Sequence, residues 1–329
     1  MDLHERDFRP AMGNHPFNVI VVLFWLATMG WLTVAKILPP LRVGEPPSYV
    51  SILKESLDQP PVCWSIRLQD RSIGWAATRV ARRKDGITDL WSRVYLAELP
   101  LDDLVPTWVG AVLRPMLRSL GPMDVDKKSR LIVDPLGRLV GFESRVRVAN
   151  LPDAIKIQGQ IEGALLKMAV QSGEASYKLE RYLPPDALMT DELSPQTYLP
   201  GLRVGQTWTV PLYSPFGPPS SPMEILQATV EREDPMTWGS QTINSRIIVY
   251  RNDPGSGRSS DEIRGRVWVR DDGMVLRQEV HVFKSRLQFV RLPEVDAEGI
   301  WKTLGDDWMG NLPSQVAKKL LQQLQTDAF

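Results

Sequence analysis

Residues 263–270 of this chain have the sequence Ile-Arg-Gly-Arg-Val-Trp-Val-Arg. Apolar and polar positions alternate along the stretch if Trp268 lies on the wet face, and residues 155–161, Ile-Lys-Ile-Gln-Gly-Gln-Ile, alternate strictly. A period of two is typical of a β-strand that packs one face and exposes the other. Both stretches therefore predict half-buried strands.

Turn residues link these strands into hairpins. Asp85-Gly86, the tetrapeptide Asp134-Pro135-Leu136-Gly137 and Asp272-Gly273 each separate two strand-like runs. Such sequences supply the type I or left-handed conformations that tight hairpins need. The fold class is therefore mainly β, with an antiparallel sheet in a soluble domain over residues 62–312. A further bulge or turn is expected between Lys284 and Arg286, because the apolar, inward-facing positions change there from even-numbered to odd-numbered residues.

Two helices are expected within or after this sheet. The first covers residues 101–120, where apolar side chains recur every three or four positions and Asp102 and Asp103 favour its start. Its apolar stripe would either pack in a core, which we favour, or close an apolar cavity. In the second case the ligand-binding residues would be Leu104, Trp108, Val112 and Met116. A C-terminal amphipathic helix is expected over residues 313–329.

Residues 17–38 are apolar apart from Asn18, two threonines and Lys36 near the end. About 20 such residues are enough to cross a bilayer core roughly 30 Å thick. The run exceeds the usual 7–15-residue apolar region of a signal peptide, and no A-x-A cleavage site follows it. We therefore expect a transmembrane helix that anchors the chain after a short tail, residues 1–16. The anchor residues are Phe17, Val22, Trp25, Trp31 and Lys36.

A proline-rich linker over residues 39–61 follows the anchor, and a short helix is expected in it between Ser48 and Leu57. The proline pairs favour extended backbone, which suits a spacer. Basic residues on the two sides of the anchor nearly balance, so they do not decide its orientation. A short tail before a long domain favours a soluble domain on the periplasmic side of the inner membrane.

The composition argues against several classes of function. Lys plus Arg and Asp plus Glu number 39 each, so the basic field of a nucleic-acid-binding protein is absent. Cys63 is the only cysteine, and His281 is the only histidine beyond the N-terminal tail. Neither a thiol zinc site nor a histidine-based catalytic centre is expected. We predict a non-enzymatic protein without metal or cofactor.

Five arginines occupy the predicted wet face of the strands. They could bind an acidic partner or lipid headgroups, but the balanced charge favours an ordinary solvated face. These residues are Arg145, Arg147, Arg264, Arg266 and Arg270.

Four short segments of the chain form a recognisable series. They are Asp134-Pro-Leu-Gly-Arg-Leu-Val-Gly-Phe142, Tyr182-Leu-Pro-Pro-Asp-Ala-Leu188, Leu199-Pro-Gly-Leu-Arg-Val-Gly-Gln-Thr-Trp208 and Gly265-Arg-Val-Trp-Val-Arg-Asp-Asp-Gly-Met-Val-Leu-Arg277. In this order they resemble bacterial envelope proteins of the DUF3108 type and, more distantly, the half-barrel fold of lipoprotein carriers. The resemblance implies a curved antiparallel sheet wrapped around a helix, located in the cell envelope, whose concave side holds an acyl chain. The helix stripe would then be a lid.

Two functions follow from these observations. In the first, a membrane-anchored envelope protein binds a lipid or lipid-linked ligand in the half-barrel. In the second, the chain is an accessory or scaffolding subunit that docks on a membrane protein complex and has no ligand of its own. Its partners would be the bilayer, through residues 17–38, and either a lipid or a membrane protein.

Overall fold

The computed structural model describes residues 15–34, 46–57, 59–69, 71–99, 122–148, 151–183, 188–191, 193–213, 223–256, 259, 261–282, 285–310 and 312–326. The chain divides into two compact units, Met1–Glu45 and Pro46–Phe329. The helix expected over residues 101–120 lies outside the described residues, and with it the candidate ligand residues Leu104, Trp108, Val112 and Met116.

The first unit contains helix α1, His15–Leu32. Phe17, Val22, Trp25 and Trp31 lie on it with exposed side chains, whereas Lys36 falls outside the described part of the chain. Across the described residues, no helix combines the length and the apolar character of a membrane span.

The second unit is built on one sheet of 15 strands made from two meanders. The first meander runs through eight consecutive antiparallel strands from the middle of the sheet to one edge. Its strands are β1 Val62–Leu68, β2 Arg71–Arg82, β3 Thr88–Leu99, β4 Met123–Val133, β5 Leu139–Val148, β6 Leu151–Glu162, β7 Leu165–Ser172 and β8 Ala175–Tyr182.

The second meander begins at the opposite edge and returns to the middle, where β17 pairs with β1. The mainly β, antiparallel prediction is therefore confirmed, except that β9 and β10 pair in parallel. The strands in the sheet are β9 Thr190–Asp191, β10 Thr207–Tyr213, β11 Met223–Glu233, β14 Ser245–Asn252, β15 Ile263–Arg270, β16 Val275–Val282 and β17 Ser285–Arg291; β12 Met236–Trp238 and β13 Gln241–Ile243 form a separate hairpin.

The three predicted hairpin turns are confirmed between β2 and β3, β4 and β5, and β15 and β16. Gly86 and Gly273 adopt φ angles of 84° and 89° there, which a side chain would disfavour. Val282 of β16 pairs with Ser285 of β17, and the residues between them lie outside the described part of the chain.

One face of the sheet, called the inner face below, carries the main hydrophobic core. Strands of both meanders contribute to this single cluster, for example Trp64, Phe142 and Leu226. Helix α2, Tyr49–Ser56, packs its Ile52 and Leu53 into the same cluster. The short helix predicted between Ser48 and Leu57 is confirmed, but the spacer interpretation is wrong for this segment, because its apolar side chains are buried in the domain.

Two helices cover the opposite, outer face of β1–β3. Helix α4, Ser314–Thr326, matches the predicted C-terminal helix, and helix α3, Glu294–Leu304, was not expected within the β-rich region. Both helices bury apolar side chains against Trp75 and Tyr95. The Trp75 indole also donates a hydrogen bond to the carbonyl of Ala317 at 3.2 Å.

Trp268 lies on the outer side of β15, as the alternation predicts, but it is only 8% exposed. Its indole donates to Asp234 at 2.7 Å, and the Arg277 guanidinium stacks over its ring. Met236 of the β12–β13 hairpin also packs against it. The expectation of a wet position is therefore wrong, because a distant hairpin covers a residue that the strand alone would expose.

Gly159 of β6 leaves room for the ring of Phe142 on the inner face. A Cβ at this position would lie 2.1 Å from a carbon of that buried ring, so we expect Gly159→Ala to displace it. Overpacking of this kind costs about 1–3 kcal/mol of folding free energy. Gly299 of α3 has no atom within 4 Å of such a Cβ, and Gly299→Ala should stabilise by about 0.5–1 kcal/mol. Urea titration of both variants in detergent tests these opposite signs, and a neutral Gly159→Ala would contradict the packing.

Candidate ligand site on the inner face

Four hydroxyl side chains form a row across the mainly apolar inner face. Thr78 of β2 pairs with Ser92 of β3, Ser92 with Ser129 of β4, and Ser129 with Ser144 of β5. All four are 3–8% exposed. Because they occupy directly opposite positions on neighbouring strands, the hydroxyls lie side by side at one level of the sheet. We call Thr78, Ser92, Ser129 and Ser144 the hydroxyl row.

Three members of the hydroxyl row have unused hydrogen-bonding capacity. Thr78 Oγ1, Ser92 Oγ and Ser144 Oγ are buried and contact no hydrogen-bond partner among the described residues. An unsatisfied buried hydroxyl costs about 1–3 kcal/mol, so native proteins rarely retain one without a reason. A ligand with polar atoms would remove this cost.

A cavity of about 100 Å³ lies against the hydroxyl row. Leu90 and Phe142 of the sheet and Ile52 of α2 form much of its wall, so the lining is mainly apolar. A single water needs only about 10–15 Å³ measured this way, whereas drug-sized ligands occupy pockets of roughly 300–1,000 Å³. Among the described residues, this space suits one end of a ligand, with an uncharged polar group at the hydroxyls and apolar atoms elsewhere.

Residues 188–189 and 194–199 also line the cavity, and we call them the covering segment. The Tyr49 hydroxyl donates to the carbonyl of Met189 at 2.9 Å, and burial raises the pKa of this phenol above its ordinary value. Further along, the Gln196 side chain accepts a hydrogen bond from the Tyr250 hydroxyl at 3.0 Å. The covering segment is therefore held at both ends by buried tyrosines.

A buried lysine supports the middle of the covering segment. Lys127 Nζ donates to Ser194 Oγ at 3.0 Å, and Ser194 Oγ lies 3.0 Å from Ser129 Oγ. This chain of contacts connects Lys127, on the inner side of β4, to the hydroxyl row. The polar groups of the site therefore lie towards the covering segment, and its apolar groups lie towards the core.

The other chemically notable residues are structural. Burial raises the pKa of the Cys63 thiol to about 12, despite the opposing effect of Arg291, so the thiolate needed for reactivity is disfavoured. His281 is half-buried on the outer side of β16, not fully solvated as expected. Within the described part of the chain, no group of three His, Cys, Asp or Glu residues could hold a metal ion.

The arginines expected on the wet face are mostly engaged in ion pairs. Arg147 contacts Asp126 at 2.7 Å, Arg264 contacts Glu224 at 3.0 Å, and Arg270 contacts Asp272 at 2.6 Å. Arg266 lies 3.7 Å from Glu279. Arg145 is exposed and makes no ion pair with a described carboxylate.

The hydroxyl row was missed in the sequence, although a signal for it exists. Ser144 has the same parity as Phe142 and Val146, which are buried on the inner face, and Ser129 shares the parity of Val125 and Leu131. A single small hydroxyl residue at an inward-facing position of one strand does not by itself indicate a site. Only strand pairing, which the sequence does not specify, places four of them in line.

No family model matches the sequence, and no curated protein matches it either. The resemblance to DUF3108-type proteins is therefore without a family match. Similar solved structures include a β-barrel-like protein of the DUF1849 domain from Brucella abortus, with 8% identity, a TM-score of 0.41, and coverage of 70% of this chain and 94% of that one. A DUF1089 family protein from Pseudomonas aeruginosa has 17% identity, a TM-score of 0.29, and coverage of 63% and 89%. Likeness at TM-scores this low carries no argument about function.

Proposed function

We propose that this chain is a non-enzymatic, membrane-anchored envelope protein that binds a lipid or lipid-linked ligand on the inner face of its sheet. The observation that supports it most is the apolar cavity bordered by three buried hydroxyls that have no hydrogen-bond partner among the described residues. Such a lining suits an acyl chain that carries an uncharged polar group, such as an ester or a hydroxyl. The anchor would be residues 17–38, with the domain on the periplasmic side of the inner membrane.

Photo-crosslinking with a diazirine-labelled acyl lipid tests this proposal in the full chain. In membranes, we expect adducts on the peptides that border the cavity, those containing Ile52, Leu90 and Met189. Leu136, exposed in the β4–β5 turn, serves as the matched surface position for nonspecific labelling. Equal labelling of the cavity and of this turn would contradict the proposal.

A second candidate function is supported by the edge of the sheet. Strand β8 ends the sheet order, and seven of its eight residues are exposed, including Tyr177 and Tyr182. An exposed edge strand is a ready template for a strand from another protein. An accessory subunit could dock on its partner in this way. Protein–protein crosslinks from Lys178 in native membranes would support this alternative, and labelling of lipid alone would argue against it.

A further inference from the structure

Four basic side chains form a row across the outer face of β3–β6. Arg93 pairs with Lys128, Lys128 with Arg145, and Arg145 with Lys156. Directly opposite residues have Cβ atoms about 4.5–5.5 Å apart, and like charges in these positions destabilise a sheet. We call Arg93, Lys128, Arg145 and Lys156 the basic row. The repulsion between like charges recurs at each of the three neighbouring pairs in this row. An anion beside the row would reduce it.

Among the described residues, carboxylate contacts with this row are found at one end. Asp126 accepts two hydrogen bonds from Arg93, at 2.9 and 2.6 Å, and a third from Arg147 at 2.7 Å. Its two oxygens are therefore shared between two guanidinium groups. Lys128 instead donates to the neutral carbonyl of Gly310 at 2.5 Å. Within the described part of the chain, neither Lys128 nor Arg145 makes an ion pair with a carboxylate.

These two cations face a wide cleft that is bordered on its other side by Met309 and residues 312–314. The cleft has a volume of about 850 Å³. Four cationic side chains and two carboxylates line it: Lys128, Arg130, Arg145, Arg147, Asp126 and Glu143. Asp126 is engaged by Arg93 and Arg147, and Arg130 donates to Asp89 at 3.1 and 2.9 Å. The charged groups of the lining without a described ion pair are then two cations, Lys128 and Arg145, and one carboxylate, Glu143.

The surroundings of Lys128 disfavour its charged form. Burial lowers the pKa of this ammonium group, and the charges of Arg93 and Arg147 lower it further. Asp126 and Asp307 oppose this effect without reversing it. An anion placed between Lys128 and Arg145 would favour the charged form of Lys128.

We propose that this cleft binds a phosphate group, held between Lys128 and Arg145 with Arg147 beside it. Phosphate oxygens accept the paired hydrogen bonds that a guanidinium offers, and lysine adds a point charge. The charged side chains of the cleft are on the opposite face from the hydroxyl row, although Trp91, Ser129 and Glu143 border both spaces. The inference uses only these charged side chains, so it does not rest on the proposed lipid site. The phosphate could belong to a lipid headgroup or to a soluble metabolite, and the test separates these sources.

Calorimetric titration of the full chain in an uncharged detergent provides the test. The probes are inorganic phosphate, dihexanoyl phosphatidic acid, and dihexanoylglycerol as the matched lipid without phosphate. We expect the phosphate-bearing probes to bind and dihexanoylglycerol not to bind this cleft. Tighter binding of phosphatidic acid than of inorganic phosphate would assign a lipid source, and equal binding would assign a soluble one.

Variants of Arg145 show whether the binding occurs in this cleft. Loss of one charge-assisted contact should weaken phosphate binding at least tenfold in Arg145→Gln. Lys178→Gln on β8, which removes an exposed charge far along the sheet, should leave it within twofold. Arg145→Glu should abolish binding while the melting temperature stays equal or rises, because glutamate would face Lys128 and Lys156. Absence of binding by both phosphate probes, or equal binding by wild type and Arg145→Gln, would overturn the inference.

Discussion

Asp126→Ala is expected to destabilise the domain by about 3–5 kcal/mol, because it leaves a buried guanidinium without its counter-charge. Arg93 is only 1% exposed, and Asp126 is 4% exposed. Arg93 also donates to the carbonyls of Trp308 and Gly310, so it fixes the segment between α3 and α4 to the sheet. The loss should be measured as a change in the free energy of unfolding by urea titration in detergent.

Two comparisons make the result specific to the buried pair. Glu162→Ala breaks the exposed ion pair with Lys167 and should cost less than about 1 kcal/mol. The double variant Arg93→Met with Asp126→Leu should be less destabilised than Asp126→Ala alone, since it removes both charges and keeps apolar volume. A loss of under 1 kcal/mol in Asp126→Ala would show that this pair does not hold the outer layer.

Removing hydroxyls from the inner face is expected to stabilise the ligand-free protein. Thr78→Val and Ser144→Ala each delete a buried hydroxyl that has no partner among the described residues. Relief of that penalty is worth up to roughly 1–3 kcal/mol per group. The double variant should therefore unfold at a higher urea concentration than delipidated wild type, although the same change removes two contacts for a ligand.

Ser245→Ala is the matched control for this effect. Ser245 is equally buried, at 1% exposure, but its hydroxyl donates to the carbonyl of Asp234. Its removal should destabilise by about 0.5–1.5 kcal/mol. If Thr78→Val and Ser144→Ala behaved like Ser245→Ala, the hydroxyl row would be part of an ordinary satisfied core.

The strands and turns follow from local patterns, which explains why they could be predicted. Alternation over residues 155–161 and the Asp-Gly turns depend on neighbouring residues alone. The burial of Trp268 and of helix α2 depends on contacts with distant segments, so the local pattern misassigned both. The hydroxyl row and the basic row were harder to predict. Thr78, Ser92, Ser129 and Ser144 align only through strand register, as do Arg93, Lys128, Arg145 and Lys156.

The candidate site from the sequence and the site from the structure involve different residues. Leu104, Trp108, Val112 and Met116 lie outside the described residues, so their role as a lid stays a prediction. The cavity on the inner face is lined instead by the hydroxyl row and by the covering segment, residues 188–189 and 194–199. In both hypotheses an acyl ligand would lie on the inner side of the sheet. The hydroxyl row adds polar side chains that could contact it.

Native mass spectrometry of the full chain, released from detergent after gentle extraction, tests the lipid-binding proposal most directly. Wild-type protein should carry a copurified lipid. The double variant Thr78→Val with Ser144→Ala should carry clearly less of that lipid while remaining folded, because two hydrogen bonds of about 0.5–1.5 kcal/mol each are removed, a roughly fivefold to 150-fold loss of affinity. Wild-type protein without lipid, or equal occupancy in the two proteins, would contradict a ligand site at the hydroxyl row.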